Sequence, residues 1–249
     1  MKGFTLFKMK NKLSFLLIQA RESNDPMIKN ELECFKRILN SRFKKIQTID
    51  ITRDIITSRF IEKFDIILVG GSGNYSIAKG GFFMEQTLSV MQFLHEKSKP
   101  TFASCWGFQA MAKAMGGDVI TDLKLAELGT IKLKLTKEGK KDPVFKYLSH
   151  NFFCQMGHED IVIKQPKKST ILASSEKIKI EAFCFKNKPI YCTQFHPELR
   201  VQDLRFRMQT YPRYINKILG ITTEKFLETK CFEAKESENL LNQFINTYF

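Results

Sequence analysis

The sequence contains no C-x-x-C pair, no long apolar run, no phosphate-binding Gly-Lys-Ser/Thr loop and few acids for its bases, and each absence removes a class of function. The six cysteines, at 34, 105, 154, 184, 192 and 231, fall at irregular spacings. Neither a zinc site nor a disulfide framework is signalled, and several sit in apolar, strand-like runs as reduced thiols do. A reducing, cytoplasmic setting is the expectation, with no metal and no cofactor. No stretch approaches the ~20 apolar residues that span a bilayer, so no membrane role is expected. The N-terminal "MKGFTLFKMKNKLSFLLIQARES" imitates a secretory leader. Its apolar run, Leu13–Ile18, is too short, and Gln19, Arg21 and Glu22 close it without a cleavage pattern. The glycine-rich "GGSGNYSIAKGG" (70–81) lacks the Gly-Lys-Ser/Thr ending of a P-loop. Acids are scarce: 26 Asp and Glu face 40 Lys and Arg, a net charge of +14. Such a balance suits a nucleic-acid partner, but the lysines are scattered, with no block longer than Lys44-Lys45, Lys140-Lys141 or Lys167-Lys168. A lysine-biased solvated surface is the expectation, without nucleic acid.

What is present is an ordinary globular composition, 43% hydrophobic and 27% charged over 249 residues, enough to bury a substantial core. "LSFLLIQ" (13–19) and "FDIILVGG" (64–71) are continuous apolar runs, the pattern of strands covered on both faces of a parallel sheet. Between them, Pro26 opens a helical spacing of Met27, Ile28, Leu32, Phe35, Ile38 and Leu39, and "KIQTIDI" (45–51) is β-like. Helical spacing over Phe82–His95, a strand at "PTFASC" (100–105) and a helix at "WGFQAMAKAM" (106–115) continue the alternation. That order predicts a doubly wound, mostly parallel central sheet flanked by helices. From about residue 127 the period changes. "TIKLKL" (130–135) and "KIKIEAF" (177–183) alternate apolar and polar, and "EAFCFKNKPIYCTQF" (181–195) reads as a hairpin about Asn187-Lys188, so an antiparallel region is added. The last fifty residues read as polar helices, ending with Leu240, Leu241, Phe244 and Ile245 on one side. With no repeat or linker, residues 1–249 are read as one domain, its core about 13–200 and a C-terminal helical extension at 201–249.

Two blocks carry chemistry. In open α/β sheets ligands bind beyond the carboxyl ends of strands, where Gly70-Gly71 and Cys105 would both lie. Cys105 sits at a strand-to-helix turn with Gly107 two residues on, the geometry that exposes a nucleophile and offers the next backbone N–H as an oxyanion donor. The helix N-terminus behind it favours negative charge. A small-x-Cys-x-Gly turn serves packing equally well, so this block alone does not decide. The second block is "CTQFHPEL" (192–199), in which a strand delivers His196 and Glu198 follows two residues later. A thiol nucleophile needs a base, and the base needs a group that orients it; His-x-Glu supplies both.

Together, "ASCWGFQAMAKAMGG", "QFHPE" and "ILVGGSG" resemble the signature blocks of the class I, triad-type glutamine amidotransferases. Within them, the chain looks most like the stand-alone domains related to the amidotransferase part of GMP synthase. "RESNDP" (21–26), "AELG" (126–129), "HEDIV" (158–162) and "ENLLNQFI" (239–246) add lesser matches in corresponding order, so the likeness runs over roughly residues 13 to 246. It implies a flavodoxin-like fold in which Cys105 attacks the side-chain amide of glutamine, His196 shuttles the proton and Glu198 holds the imidazole. The N–H groups of Trp106 and of a glycine in Gly70–Gly73, foremost Gly71, would form the oxyanion hole. Gln109 would help hold the substrate, and His158 falls where the family often has a histidine beside it, with a structural role equally open. Two departures stand out: Ala103 replaces the usual glycine, and Ser72 replaces the proline common after the paired glycines.

The resemblance implies release of glutamate and ammonia through a γ-glutamyl thioester. A chain of this length leaves no room for an ATP-dependent synthetase, so any ammonia acceptor is expected on a separate polypeptide. Two other readings stand beside it. One is a hydrolase of γ-glutamyl amides or peptides with no synthetase; the other is a non-catalytic binding or regulatory protein on the same scaffold. Oligomeric state is not legible.

Overall fold

Which residues can sit in the centre of a sheet is decided by whether both faces of the strand are apolar. In the computed structural model, which describes residues 12–249, β1 (Leu13–Ala20) is such a strand. Leu16 and Ile18 enter one core while Phe15 and Leu17 enter another across the sheet. β3 (Ile66–Ser72) divides in the same way, Ile67 and Val69 to one side and Ile66 and Leu68 to the other. Period-2 side-chain alternation with both faces covered is what a helix-flanked parallel sheet requires. The lysine-bearing start of the chain, through residue 11, lies outside the described residues.

Among the described residues the main sheet has nine strands, in the order β2-β1-β3-β4-β11-β10-β9-β6-β7. The first five are parallel: β2 (Phe43–Asp50), β1, β3, β4 (Thr101–Ser104) and β11 (Ile190–Thr193). The rest run antiparallel to their neighbours: β10 (Ala182–Phe185), β9 (Ser169–Ser174), β6 (Glu127–Leu135) and β7 (Asn151–His158). β5 (Asp118–Thr121) and β8 (Asp160–Lys164) pair separately. The helices are α1 (Met27–Leu39), α2 (Ser58–Ile61), α3 (Met84–Glu96), α4 (Trp106–Ala114), α5 (Val201–Thr210), α6 (Pro212–Leu219), α7 (Thr223–Thr229), α8 (Lys235–Glu238) and α9 (Leu240–Tyr248). The parallel half, the added antiparallel region and the α/β class all agree with the reading of the sequence. No helix among the described residues is long and apolar enough to cross a membrane.

α1 shows how a local pattern sets a packing face. The Asp25 carboxylate accepts the Met27 N–H at 2.8 Å and closes the first turn, while Lys36 and Arg37 lie in the last turn, where the helix dipole favours cations. Its buried stripe is Met27, Glu31, Cys34, Phe35, Ile38 and Leu39. Five of these are apolar; Glu31 is not, and its partner proves to be the candidate site. α9 places Leu240, Leu241, Phe244 and Ile245 in the core with Phe102 and Tyr191, as its spacing predicts. α5, α6 and α7 close a smaller core over Leu128 of β6.

One expected strand is absent. Residues 177–181 form a turn, although β10 begins at Ala182, within the expected segment. The Ser175 hydroxyl accepts the N–H groups of Lys177 and Ile178, and the Ser175 N–H donates to the Ile178 carbonyl. The turn still buries Ile178 and Ile180, so it satisfies the same alternation without a ladder. The hairpin that follows turns at Asn187, whose φ of 60° is one that asparagine tolerates.

Candidate active site

Three neighbouring parallel strands end level with one another. Val69 of β3 and Cys192 of β11 both pair with Ala103 of β4, so Gly70–Gly71, Cys105 and His196 leave the sheet at one edge. Cys105 is bound in a sharp turn: its φ is 51° and its ψ −103°, an uncommon conformation for a residue with a Cβ. The turn is over-determined by its neighbours. The Cys105 N–H donates to the Thr193 carbonyl at 2.7 Å, and its own carbonyl accepts the Gln109 N–H that begins α4. A Cβ on Gly107 would stand 2.7 Å from Val69 Cγ1 and 2.8 Å from the Val69 carbonyl oxygen, so only glycine lets α4 approach β3 this closely. Ala103, one of the two departures, is fully buried in regular strand backbone and needs no glycine conformation.

His196 and Glu198 form a complete hydrogen-bonded unit. The imidazole Nδ1 lies 2.6 Å from Glu198 Oε1, and Ser104 donates its hydroxyl to the other carboxylate oxygen at 3.3 Å. Both residues are buried. Burial alone would lower the imidazole's affinity for a proton, but the charge of Glu198, then the charge and hydrogen bond of Cys105, raise the pKa of His196 to about 9. The Glu198 carboxyl, which burial would push up, is instead held below its usual value by His196 and, more weakly, Arg207.

A cavity of about 410 Å³ opens over Cys105 and Trp106 and is closed by Gln109, His158 and the α6 residues Arg213 and Tyr214. Its size suits a small-molecule ligand. The loop at its rim is tied down by Asp160, which accepts from the Ser76 hydroxyl, the Ala78 N–H and the Thr121 hydroxyl.

Three of the residues read from sequence have hydrogen-bond partners within the protein, and for His158 this is the structural role left open above. The Gly71 N–H, expected to face an oxyanion, donates instead to Glu31 Oε1 at 2.9 Å. Glu31 is fully buried and also accepts from Gln19 and Arg21; a desolvated carboxylate collects donors, and Gly71 supplies one. Gln109 borders the cavity, but its amide donates to the Asp160 carbonyl at 2.9 Å and to Gln194 Oε1 at 3.2 Å. His158 also borders the cavity, yet Nδ1 meets the Asp160 carbonyl at 3.1 Å and Nε2 lies 3.8 Å from Glu127. Two further residues enter the site: Gln194, which lies in the "QFHPE" block but is given no role there, and Glu31. Gln194 donates to the Cys105 sulfur at 3.6 Å and is braced by Gln109. Glu31 lies outside the apolar spacing read for α1, and its burial is seen only in the fold.

The sequence pattern described as "Glutamine amidotransferase class-I" matches residues 22–208. The chain is 31% identical over 140 residues to a protein of Sulfurisphaera tokodaii named as one subunit of glutamine-hydrolyzing GMP synthase, covering 56% of this chain and 70% of that one. It is 32% identical over 142 residues to the GMP synthase [glutamine-hydrolyzing] of Petrotoga mobilis, covering 55% of this chain and 27% of that protein. In three dimensions it resembles a glutamine amidotransferase from Thermotoga maritima, with a TM-score of 0.74 and 20% identity over 94% of this chain and 97% of the other. With a family match spanning most of the sheet and both ends of the site, the chain belongs to the class I glutamine amidotransferases and is a cysteine-dependent enzyme of that family.

Proposed function

We propose that the protein hydrolyses the side-chain amide of glutamine with Cys105 as nucleophile, His196 as base and acid, and Glu198 as the group that orients the imidazole. The observation that carries this is the His196–Glu198 contact of 2.6 Å with the ring coupled to the Cys105 sulfur. A thiol nucleophile needs a base to take its proton and a third group to orient that base, and His196 with Glu198 supplies both. The sulfur attacks the amide carbon, and the carbonyl oxygen becomes an oxyanion at the N-terminus of α4. There the Trp106 N–H, which has no partner within its helix, donates to it; one such donor is worth roughly 3 kcal/mol. His196 delivers its proton to the nitrogen, the C–N bond breaks, and ammonia leaves a γ-glutamyl thioester. Water, deprotonated by His196, then attacks the thioester, and glutamate departs as the sulfur leaves. For Gly71 to add a second donor, the Gly70–Gly71 peptide must first release Glu31. Gln109 contributes by bracing Gln194 against the sulfur and by its remaining carbonyl oxygen at the cavity wall.

The ammonia is consumed by a separate synthetase in this reading. The support is that the chain matches most of a protein named as one subunit of GMP synthase and only 27% of the single-chain enzyme. All six cysteines are unpaired and buried, which supports a reducing, cytoplasmic setting, and residues 12–249 share cores in the manner of one domain. A second reading, hydrolysis of larger γ-glutamyl compounds, is favoured by Lys79 and Arg213 at the cavity wall, cations that suit an additional carboxylate, whereas Lys217 there is already paired with Glu159.

Incubation with a glutamine-analogue electrophile tests the mechanism: Cys105 is labelled stoichiometrically, and Cys105→Ala removes the label. Modification spread over other cysteines with Cys105 untouched defeats it. Turnover of γ-glutamyl peptides with none of glutamine selects the second reading.

A further inference from the structure

Glu127 at the start of β6, His158 at the end of β7 and Glu181 just before β10 converge behind the cavity wall. One ligand atom from each lies within 4.8 Å of the other two. Exposure is 5% for Glu127, 3% for His158 and 0% for Glu181. The proton inventory of the group is unusual. His158 Nδ1 faces the Asp160 carbonyl, which can only accept, so Nδ1 carries the hydrogen, and in that tautomer Nε2 is a bare lone pair. That lone pair points toward two carboxylates, which are also acceptors. His158 Nε2, Glu127 Oε2 and both oxygens of Glu181 are buried without a hydrogen-bond partner. The Ser175 hydroxyl bears on both carboxylates, and among the described residues no lysine or arginine forms an ion pair with either.

From this geometry we infer that Glu127, His158 and Glu181 form a binding site for one divalent first-row transition cation of the zinc class. Two carboxylates balance a double positive charge, and one cation satisfies three converging acceptors at once. A buried imidazole among the donors favours zinc or manganese over calcium and magnesium, which take oxygen. The Nδ1–H donated to a backbone carbonyl is the arrangement that orients a metal-binding histidine. Zinc ligands at ~2.1 Å put tetrahedral neighbours ~3.4 Å apart, so the 3.8 Å between His158 Nε2 and Glu127 Oε2 must close slightly on loading. The competing arrangement fills the same space with protons. Burial, then the charge of Glu127, push the Glu181 carboxyl well above its usual range when no cation is present. The cysteine and histidine spacing of the sequence signalled no metal; three separate strand ends assemble this group instead.

The test compares the purified full chain with Glu181→Gln and His158→Gln, each stripped with chelator and then given zinc or manganese chloride. After gel filtration the unaltered protein retains one equivalent of metal more than either variant. Its melting temperature rises by roughly 5–10 °C when zinc is ~100-fold above its dissociation constant, and the variants do not respond. Metal caught by Cys105 and His196 would persist in the variants, so the difference isolates this group. Cobalt loading gives a second readout, independent of variant stability: a visible spectrum without a thiolate charge-transfer band. Equal metal content in all three proteins, no thermal response to either ion, or a cobalt spectrum identical in the unaltered protein and both variants overturns the site. None of these outcomes bears on Cys105 labelling, so the two readings fail separately.

Discussion

The molecule holds two buried histidine–carboxylate groups, and they differ in how many of their atoms are satisfied. At His196, Nδ1 meets Glu198, the far carboxylate oxygen takes the Ser104 hydroxyl, and the ring is coupled to Cys105. At His158, Nδ1 meets a backbone carbonyl, while Nε2, 3.8 Å from Glu127, and both oxygens of Glu181 are buried without a hydrogen bond. The first group arises from one His-x-Glu turn at the end of β11; the second draws on three strands of the antiparallel half. A group whose charges are internally compensated can exchange a proton with substrate without reorganising its surroundings. A group with unspent lone pairs needs something from outside. The same residue types therefore suit different tasks.

The comparison breaks most visibly at the base. His196→Gln keeps volume but removes the proton carrier, and glutamine turnover falls by about 10²–10⁴-fold. Circular dichroism should show the fold retained, and turnover within tenfold of the unaltered enzyme would remove His196 from the mechanism. The proton affinity of the ring can be read directly. Its pKa is raised above the ordinary 6.5 to about 9, so the stability it contributes is fully present below pH 6.5 and lost as pH rises through about 9. In Glu198→Gln the main charge that raises it is gone while burial stays, so the NMR titration midpoint of His196 should fall by more than one pH unit. A midpoint near 9 in both proteins would mean that Glu198 is not what holds the proton.

Next in size is Gly71→Ala. Its Cβ would stand 2.9 Å from His196 Cε1, and the ring cannot retreat because Nδ1 is fixed on Glu198. A displacement of this order at the reacting groups costs about 10²-fold in turnover, with little loss of stability expected since Gly71 has ordinary strand backbone. Retained activity would show that the imidazole is free to move, and the contrast between a fixed and an unsatisfied histidine would lose its force.

Reading the fold from sequence succeeds where one kind of burial governs a whole segment. β1 and β3 are apolar on both faces, so a continuous run identifies them, and the level ends of β3, β4 and β11 then follow from parallel pairing. It is weaker in the antiparallel half. β7, "NFFCQMGH", mixes buried and exposed positions without clean alternation because Gly157 and His158 serve the cavity, and its pattern gives no clear strand signal. Residues 177–181 alternate correctly but turn, since hydrogen bonds to Ser175 replace a ladder. Cys105, His196 and Glu198 are legible because each block is local, a strand-to-helix turn for the cysteine and one His-x-Glu for the other two. The orientation of the Gly71 N–H is not, because it depends on a carboxylate forty positions away on α1. Glu127 and Glu181 lie in quoted stretches of sequence, yet only the sheet order brings them to His158.

The smallest expected effect is the sharpest test of the contrast. Glu127→Gln changes one atom in the second group and leaves every contact of His196, Glu198 and Cys105 in place. If the two groups have separate tasks, kcat for glutamine should stay within about threefold, a change of roughly 0.6 kcal/mol in the barrier. The mutation does alter electrostatics near the site, because a buried charge beside Glu181 disappears, and the Glu181 carboxyl feels Cys105 only as its weakest neighbour. A small shift in kcat with KM unchanged is therefore compatible with separation. A loss approaching that of His196→Gln is not: it would place both histidines in one proton-transfer network reaching from Glu127 through His158 to the nucleophile, and the unsatisfied atoms of the second group would then have to be counted as part of the first.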